Sequence, residues 1–446
     1  MNFSEASQYL ISLGHETLTI KLGLRNTELL LESLGNPQKS YESVQIAGTN
    51  GKGSTAVMLD AICRDAGVST GLYTSPHLVS ITERIKISGS EISEDSFAQL
   101  ASEVRIAADS LVAEGKLEAL PTFFEHVTAI ALLAFKEAGV ELAILETGLG
   151  GRLDATTVAG AKFVAITSIA LDHQEYLGAT LREIAVEKAA IIQPGTSAII
   201  APQQLEASGA ILRRAAECKV QPLMVSDDAL IEGATTDGRF TVTFQTDIQR
   251  YESVKINLRG RHQIVNAATA IRVAESLGQQ GWQVPKTAII TGIETAKHPG
   301  RLEMIGGYLL DGAHNPAAAR ILRNYLDEFL PAPFTLVFGA MRDKNLEEMA
   351  AILFPAAAQI VLTQADNPRS ASVEELQEIA AAIGVVNLFV ARRVNGALEK
   401  ADEVTSSPSL ICITGSLYLL GEVKAIVNAP ATATRKSKTA RITKES

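Results

Sequence analysis

The chain has 446 residues, of which 46% are apolar and 20% are charged, and its formal net charge at pH 7 is −10. This length predicts two or three domains, and the negative charge argues against general nucleic-acid binding. No apolar run reaches the roughly 18 residues of a membrane span, and the N-terminal stretch is acidic where a signal peptide would be basic. Three cysteines in apolar segments, without metal-ligand spacing, are typical of a reduced cytoplasmic protein.

Strand and helix patterns alternate along residues 1–296, which predicts one α/β domain with a mostly parallel sheet covered on both faces. Two capping boxes, Thr122 with Glu125 and Thr180 with Glu183, mark helix starts. Residues 223–258 are more strand-like and predict a small antiparallel sheet. The main predicted strands are Val44–Ala47, Gly71–Thr74, Leu142–Glu146, Phe163–Ser168 and Ser197–Ala201.

The first of these strands leads into a glycine-rich loop and then a helix, in the stretch SVQIAGTNGKGSTAVMLDAICRDAG. This context is typical of a phosphate-binding loop, although the spacing is shorter than in G-x-x-x-x-G-K-[ST], because two residues separate Gly48 from Gly51 and Gly53 separates Lys52 from Ser54. Lys52 would reach the terminal phosphates, and the Ser54 hydroxyl would help to hold Mg²⁺. The alternative is a glycine-rich turn with an incidental lysine.

Polar residues follow three of the predicted strands. Ser75 and His173 come shortly after strands, and Glu146 ends one beside a glycine-rich loop. Ligands collect at the carboxyl ends of strands in open α/β sheets, so these donors could meet, with Glu146 as a Walker B-like acid. The alternatives are a structural or loop histidine and a carboxylate paired with Arg152.

Lys188 lies within an otherwise apolar helical stretch, predicted over Glu183–Ile192. A free ammonium is costly there unless something pairs with it or modifies it. The alternative is a partly buried lysine that snorkels outwards or pairs with a carboxylate.

A second alternating series begins after KHPGRLEMI and predicts a smaller, Rossmann-like α/β domain over residues 300–428. We place the boundary at about Thr295–Gly300, where His298-Pro299-Gly300 interrupts a helix. The turn DGAHNP follows a predicted strand ending at Asp311, with Asn315 as helix cap and Pro316 as the first helical residue. The predicted strands are Tyr308–Leu310, Thr335–Phe338, Ile360–Thr363, Leu388–Val390 and Leu410–Thr414.

The two predicted domains face one another, and active sites often lie in such a cleft. The last segment, residues 429–446, is basic, rich in Thr, Ala and Ser, and without apolar periodicity. We predict that it is a disordered tail.

In this order, the motifs resemble the Mur ligase superfamily of ATP-dependent amide-bond-forming enzymes, and within it the folylpolyglutamate synthase and dihydrofolate synthase family. The resemblance runs from the N-terminal helices to CITGSLYLLGEV and leaves only the tail uncovered. The matching segments are AGTNGKGST, YTSPHL with ERI, PTFFE, LETGLGGRLDATT, DHQEYLG, AVEKAAII and DGAHNP.

The resemblance implies roles for individual residues. Those implied in ATP binding are Gly48, Thr49, Asn50, Gly51, Lys52, Gly53, Ser54, Asn266, Arg301, Asp311 and His314. Those implied in binding the pteroate, folate or glutamate substrates are Ser75, Pro76, His77, Arg84, Thr122, Phe124, Glu125, Asp154 and Ser416. Two Mg²⁺ ions are implied, with ligands from Ser54, Ser75, Glu146 and His173. The implied catalytic residues are Lys52, Lys188, His173 and Arg301, and Lys188 matches a lysine that is carbamylated in the superfamily.

The activity implied is ATP-dependent addition of L-glutamate to dihydropteroate, to reduced folates or to both, through an acyl phosphate. The alternatives are a monofunctional folylpolyglutamate synthase, another Mur-type amide ligase, or a nucleotide-binding protein without ligase activity. We expect a cytoplasmic monomer that binds neither nucleic acid nor membranes.

Overall fold

The computed structural model describes residues 1–14, 23–226, 229–330, 333–406 and 409–429. The chain divides into two compact units, Met1–His298 and Pro299–Ser446. None of the described helices is long and apolar enough to cross a bilayer. Residues 430–446, in which we predicted disorder, lie outside the described residues.

The centre of the first unit is a mixed sheet, whose eight strands in the described part of the chain have the order β4-β3-β2-β5-β1-β6-β7-β8. The strands β2, β5, β1, β6, β7 and β8 are parallel, whereas β3 and β4 are antiparallel. The bounds are β1 Glu42–Ala47, β2 Thr70–Tyr73, β3 Ile85–Ile87, β4 Ser90–Glu91, β5 Leu142–Glu146, β6 Phe163–Ile166, β7 Ser197–Ile200 and β8 Leu223–Met224.

Helices cover this sheet, and their starts follow the local sequence signals. Both predicted capping boxes are confirmed, at Thr122 and at Thr180. The bounds are α1 Phe3–Ser12, α2 Arg25–Ser33, α3 Lys52–Asp65, α4 Glu94–Ala113, α5 Phe123–Glu137, α6 Gln174–Leu177, α7 Leu181–Ala189, α8 Leu205–Glu217, α9 His262–Gln279 and α10 Lys286–Thr295.

The central strands β1, β5 and β6 are almost entirely buried, as their unbroken apolar runs predict for a sheet covered on both faces. Their carboxyl ends lie side by side, because β1 pairs in parallel with β5 on one side and with β6 on the other. The loops that follow these strands therefore meet at one edge of the sheet. The three cysteines are buried and free, as predicted.

A separate antiparallel sheet of three strands confirms the small sheet predicted near residues 223–258. Its strands are β9 Leu230–Ala234, β10 Phe240–Gln245 and β11 Arg250–Lys255. Leu223 itself lies in β8 of the main sheet, since it pairs with Ile199. The predicted helix interruption at His298-Pro299-Gly300 is wrong, because α10 already ends at Thr295.

The second unit has a six-stranded sheet in its described part, in the order β12-β13-β17-β14-β15-β16, with only β12 antiparallel. Asn315 caps the first helix after β13, and Pro316 is its first residue. Two α/β units with mainly parallel sheets confirm the predicted fold class. The bounds are β12 Glu303–Ile305, β13 Tyr308–Asp311, α11 Pro316–Phe329, β14 Thr335–Phe338, α12 Leu346–Leu353, β15 Gln359–Leu362, α13 Val373–Ile383, β16 Leu388–Val390, α14 Val394–Val404, β17 Ile411–Thr414 and α15 Leu417–Asn428.

Candidate functional site

The predicted phosphate loop connects β1 to α3. Gly48 has φ 152°, and a Cβ at this position would lie 1.9 Å from Thr167 Oγ1, so only glycine fits. Gly51 has φ 94° and precedes Lys52, the first residue of α3. The N–H of Thr55 is bonded to the Gly51 carbonyl, which leaves the N–H groups of the first turn without helical acceptors. The helix start therefore has the donors and the positive dipole end that bind an anion.

Two backbone donors of the same loop are already engaged. The N–H groups of Thr49 and Asn50 both donate to the Ser168 carbonyl, at 2.9 and 3.1 Å. The Thr49 hydroxyl also bonds the backbone of Ala170. These contacts tie the loop to the segment that follows β6. In this structure the donors left for a phosphate are those of the helix start, not those of Thr49 and Asn50.

Two lysines converge on the Gly48 carbonyl oxygen. Lys52 Nζ donates to it at 3.2 Å and to the Thr49 carbonyl at 3.3 Å. Lys188 Nζ donates to the same Gly48 oxygen at 2.8 Å. Lys188 is buried, since only 5% of the residue is exposed. Burial, reinforced by the charge of Lys52, lowers the pKa of Lys188 to about 7, although Asp172 and Asp154 oppose the shift. Lys188 is therefore available as a neutral amine near neutral pH.

The Ser54 hydroxyl is held by two side chains that the sequence did not identify. His298 Nδ1 lies 3.2 Å from Ser54 Oγ, and Gln263 Nε2 donates to the same oxygen at 3.3 Å. Gln263 also accepts a hydrogen bond from Asn266 Nδ2 at 2.9 Å. Asn266 in turn packs against Gly51, where an added Cβ would lie 2.4 Å from Asn266 Oδ1. The start of α9 and the end of the first unit thus fix the start of α3.

The carboxylate of Glu146, at the end of β5, lies beside the phosphate loop. Its Oε2 accepts a hydrogen bond from the Ser75 N–H at 3.1 Å and lies 3.4 Å from where a Cβ on Gly53 would be. The alternative pairing with Arg152 is not observed, because Arg152 pairs with Glu187. One carboxylate together with the hydroxyls of Ser54 and Ser75 offers the oxygen donors that Mg²⁺ prefers, with the remaining ligands from phosphate and water. The donor set fits Mg²⁺, although the described residues include no group of three or more His, Cys, Asp and Glu that could hold a metal.

His173 and Asp172 form the turn before α6. His173 has a left-handed backbone, and its Nε2 lies 4.0 Å from Asp172 Oδ1. The ring is partly exposed, and the Asp172 carboxylate is among the charges that act on Lys188. Asp172 was part of the recognised motif but was not among the predicted site residues.

Asp154 organises the loop after β5. Its carboxylate accepts hydrogen bonds from the Leu149 N–H and from both the N–H and the hydroxyl of Thr156. Burial raises the pKa of Asp154, and these hydrogen bonds oppose the rise. The contact between Asp154 and substrate stays a prediction, since the described hydrogen bonds connect Asp154 to other residues of its own loop.

Arg84, which is 2% exposed, connects two of the segments predicted to contact the pterin. Arg84 Nε donates to His77 Nδ1 at 2.8 Å, and its guanidinium lies 5.3 Å from the centre of the Phe123 ring. The neighbouring Phe124 packs against Gly148, where an added Cβ would lie 2.5 Å from the Phe124 ring. The structure therefore joins the loop after β2 to the start of α5.

Two other members of this predicted set have structural contacts. Glu125 completes the capping box of α5 with Thr122 and accepts a hydrogen bond from the Thr27 hydroxyl at 3.2 Å. Pro76 follows Ser75 through a cis peptide bond.

In the second unit, Arg301 lies over the turn after β13. A Cβ on Gly312 would lie 2.3 Å from Arg301 Nη1, so the guanidinium packs directly on that glycine. The Asp311 carboxylate accepts hydrogen bonds from the Leu302 and Ala313 N–H groups. Burial raises the pKa of Asp311, whereas the charge of Arg301 lowers it, and burial is the larger effect.

Two more predicted residues of this unit are also placed. His314 Nδ1 lies 2.8 Å from the Gly312 carbonyl oxygen. Ser416 is 1% exposed, and its hydroxyl caps α15 by accepting the Leu419 N–H. The polar groups of Arg301, Asp311 and His314 thus cluster at the carboxyl end of β13.

Two family models match this chain, the Mur ligase middle domain over residues 46–274 and the Mur ligase glutamate ligase domain over residues 300–417. The chain is 33% identical to the dihydrofolate synthase/folylpolyglutamate synthase of Bacillus subtilis, a match that covers 92% of this chain and 96% of the relative. It is 35% identical to a probable bifunctional folylpolyglutamate synthase/dihydropteroate synthase of Haloferax volcanii over 95% of this chain. The chain spans half the length of that second relative.

Among solved structures, the folylpolyglutamate synthase of Mycobacterium tuberculosis complexed with ADP is similar over nearly the whole chain. The TM-score is 0.89 at 30% identity, and the match covers 96% of this chain and 99% of that one. The likeness therefore extends over both units and both sets of site residues. The chain belongs to the folylpolyglutamate synthase and dihydrofolate synthase family of Mur ligases, which confirms the family predicted from the sequence.

Proposed function

We propose that this protein is an ATP-dependent ligase that adds L-glutamate to dihydropteroate and to reduced folates, as a bifunctional dihydrofolate synthase and folylpolyglutamate synthase. The observation that carries this proposal is the loop between β1 and α3, where Lys52, Ser54 and Glu146 lie around a helix start in a chain of this family. The ADP named for the M. tuberculosis relative supports nucleotide binding by this chain.

The phosphates of ATP would bind at the N-terminus of α3. The N–H groups of the first turn donate to the phosphate oxygens, and Lys52 turns its ammonium from the carbonyls of Gly48 and Thr49 towards the γ-phosphate. Gln263 and Asn266 hold the loop in place from α9. Arg301, Asp311 and His314 of the second unit are proposed to contact the nucleotide, with the last two also near the incoming glutamate.

Mg²⁺ would be held by the Ser54 hydroxyl at one position and by Ser75, Glu146 and His173 at a second. When bound, Mg²⁺ neutralises the charge that develops on the transferring phosphoryl group. The buried Glu146 carboxylate is fixed for this role by its hydrogen bond from Ser75 N–H. His298 accepts or donates at Ser54 Oγ and thereby orients the hydroxyl.

The reaction we propose activates the carboxylate of the acceptor. A carboxylate oxygen of the acceptor attacks the γ-phosphorus of ATP, and the bond between this phosphorus and the β,γ-bridging oxygen breaks. ADP leaves, and the acceptor becomes an acyl phosphate. The glutamate ammonium first loses one proton, and the neutral amine attacks the acyl carbon. The tetrahedral intermediate loses a second proton from this nitrogen as phosphate leaves. This chemistry needs positioning and charge stabilisation more than a nucleophilic side chain, which agrees with a site of lysines, hydroxyls and one carboxylate.

Lys188 is proposed to be carbamylated in the active enzyme. A buried amine with a pKa of about 7 is substantially neutral at neutral pH and can add CO₂, which forms an N–C bond and releases one proton from the nitrogen to solvent. The added carboxylate would turn a buried cation into an anion beside Lys52, which shares its acceptor on Gly48. The carbamate would attract the Lys52 ammonium, whereas a protonated Lys188 repels it.

The acceptor substrate is proposed to bind beside Arg84, His77 and Phe124, with Thr122, Glu125 and Asp154 shaping the pocket walls. Ser75, Pro76 and Ser416 complete the proposed substrate contacts. A monomeric state and a cytoplasmic location remain predictions.

The decisive experiment measures phosphate release by the purified chain with ATP, Mg²⁺ and L-glutamate. The proposal expects release that requires glutamate together with either dihydropteroate or tetrahydrofolate, tested separately. Turnover with tetrahydrofolate alone would identify a monofunctional folylpolyglutamate synthase. ATP hydrolysis that neither acceptor stimulates would overturn the ligase assignment in favour of a nucleotide-binding protein of another kind.

A further inference from the structure

A second cavity lies in the first unit, on the far part of α9 from the phosphate loop. Its volume is about 330 Å³, within the range of small-molecule sites. The walls come from the end of β8, the end of β10 and one face of α9. The apolar part of this wall is formed by Met224, Val225, Ala229, Phe244, Ala268 and Ile271, and the polar part by Ser226, Gln245, Thr246, Asp247 and Arg272. None of these residues belongs to the candidate site described above.

One buried cation interrupts the apolar wall. The Arg272 side chain is 9% exposed, and its Nη1 donates to both Asp247 and Glu275. Neither Nε nor Nη2 of Arg272 donates a hydrogen bond to any residue that the structure describes. These two nitrogens form one planar edge of the guanidinium, which matches the two oxygens of a carboxylate. Among the described residues, Arg272 therefore has carboxylate partners at Nη1 only, and its Nε and Nη2 edge has none.

The other groups around Arg272 are already satisfied. Glu275 accepts hydrogen bonds from Thr246 at 2.6 Å, from Tyr251 at 3.0 Å and from Arg272 at 2.8 Å. These three hydrogen bonds hold the Glu275 carboxylate in the wall. Asp247 differs, because its side chain is 70% exposed and can turn into solvent. The Arg272 edge is the cationic donor that the described part of the wall offers to an anionic group.

We propose that this cavity binds a small carboxylate with an apolar body, whose carboxylate pairs with the Nε and Nη2 edge of Arg272 and whose body contacts Phe244 and Ile271. A neutral ligand would leave the guanidinium edge with a weaker acceptor. A cationic ligand would be repelled by the positive charge of Arg272. The site would be separate from those for ATP, glutamate and the pteridine substrate.

The position of the cavity gives it a physical connection to the phosphate loop. Arg272 lies six residues after Asn266 in α9, which corresponds to about 9 Å along a helix. Asn266 and Gln263 contact Gly51 and Ser54 at the other end of this helix. A ligand in the cavity would therefore contact the same helix that positions the phosphate loop.

The test uses cyclohexanecarboxylate as the probe and the intact protein in the absence of nucleotide. Saturation-transfer NMR should give saturable binding with a Kd on the order of 10 mM or tighter. The neutral cyclohexanecarboxamide should bind more weakly, and cyclohexylmethylamine should not bind. Absence of saturable binding of the carboxylate, or equal binding of the three probes, would overturn the proposal.

Two variants localise the binding without removing the buried arginine. Ala268→Leu places a larger side chain in the cavity and should block binding, whereas Phe124→Ala at the pterin segment should leave it unchanged. Asp247→Asn removes a competing carboxylate and should tighten binding of the carboxylate about fivefold with little effect on the carboxamide. Thermal unfolding checks that each variant is folded. Binding that survives Ala268→Leu, or that Asp247→Asn does not tighten, would place the probe elsewhere and contradict this assignment.

Discussion

Lys52 and Lys188 donate hydrogen bonds to the same carbonyl oxygen, that of Gly48, at 3.2 and 2.8 Å. The two ammonium groups come from the start of α3 and the end of α7. Since like charges near one acceptor repel, the charge of Lys52 contributes to the low pKa of Lys188. A substitution of either lysine should therefore change the electrostatic environment of the other.

Lys52→Ala should abolish ATP-dependent ligation and leave the fold intact. The lysine stabilises charge on the transferring phosphoryl group, and loss of such a contact costs on the order of a hundredfold or more in rate. Turnover and thermal unfolding are measured together, with Lys286→Ala as a control at an exposed lysine of the same unit. Near-normal turnover of Lys52→Ala would contradict the assignment of the phosphate loop.

The low pKa of Lys188 predicts a pH dependence of stability. Below about pH 7 the lysine is protonated in both the folded and the unfolded state. Between pH 7 and the ordinary lysine pKa only the unfolded state binds the proton, so the folded state gains stability as the pH rises, by at most about 1.4 kcal/mol per pH unit.

The measurement for this effect is urea unfolding between pH 7 and pH 9 in bicarbonate-free buffer. The free energy of unfolding of the wild type should rise relative to that of Lys188→Met, which lacks the titrating group. Lys52→Met removes the neighbouring charge and should move the rise to higher pH. Parallel curves for the wild type and Lys188→Met would show that Lys188 titrates normally.

Lys188→Ala should be nearly inactive because it lacks the carboxylate that carbamylation would supply. Acetate can occupy the space left by the side chain, so it should restore part of the activity of this variant. The same acetate should not restore Lys52→Ala, which provides the matched control. An experimental density map with nucleotide and Mg²⁺ bound and a bare ammonium at Lys188 would rule out the carbamate.

Local signals predicted the fold and much of the candidate site. The strand Leu142–Glu146 was predicted to the residue, since an apolar run between polar ends defines it. The capping boxes at Thr122 and Thr180 depend on residues three positions apart, so they are visible in sequence. The ends of the predicted strands were sufficient to predict that Gly48 and Glu146 lie at the same edge of the sheet.

Contacts between distant segments could not be predicted in this way. Ser54 is held by Gln263, which is 209 residues away, and by His298, which is 244 residues away. No spacing rule connects such positions. The only local sign at His298 was the break before Pro299, which we interpreted as a domain boundary. The engagement of the Thr49 and Asn50 N–H groups by Ser168 was hidden for the same reason.

Glu146→Gln should raise the Mg²⁺ concentration needed for half-maximal ligation, because an amide is a weaker ligand than a carboxylate. His173→Ala should have the same effect if the ring is a ligand. The control is Glu187→Gln, which removes a charge that pairs with Arg152 and not with the proposed metal. If neither Glu146→Gln nor His173→Ala changes the Mg²⁺ dependence, both residues have structural roles only.

Arg84→Lys should weaken binding of the acceptor substrate without affecting ATP. The substitution keeps a positive charge but loses both the flat guanidinium over Phe123 and the Nε hydrogen bond to His77. Loss of a hydrogen bond to a charged group corresponds to a rise in KM on the order of tenfold. Initial rates are measured with dihydropteroate varied at saturating ATP, and then with ATP varied.

The matched control for this change is Arg105→Lys. Arg105 also lies over an aromatic ring, that of Tyr9 at 4.6 Å, but it lies on α4 outside the proposed substrate contacts. If each arginine only stabilises the fold by stacking on its ring, both variants should have a lower Tm and an unchanged KM. A rise in KM for dihydropteroate in Arg84→Lys only would locate the substrate beside His77 and Phe123, whereas equal KM values in both variants would remove Arg84 from the substrate site.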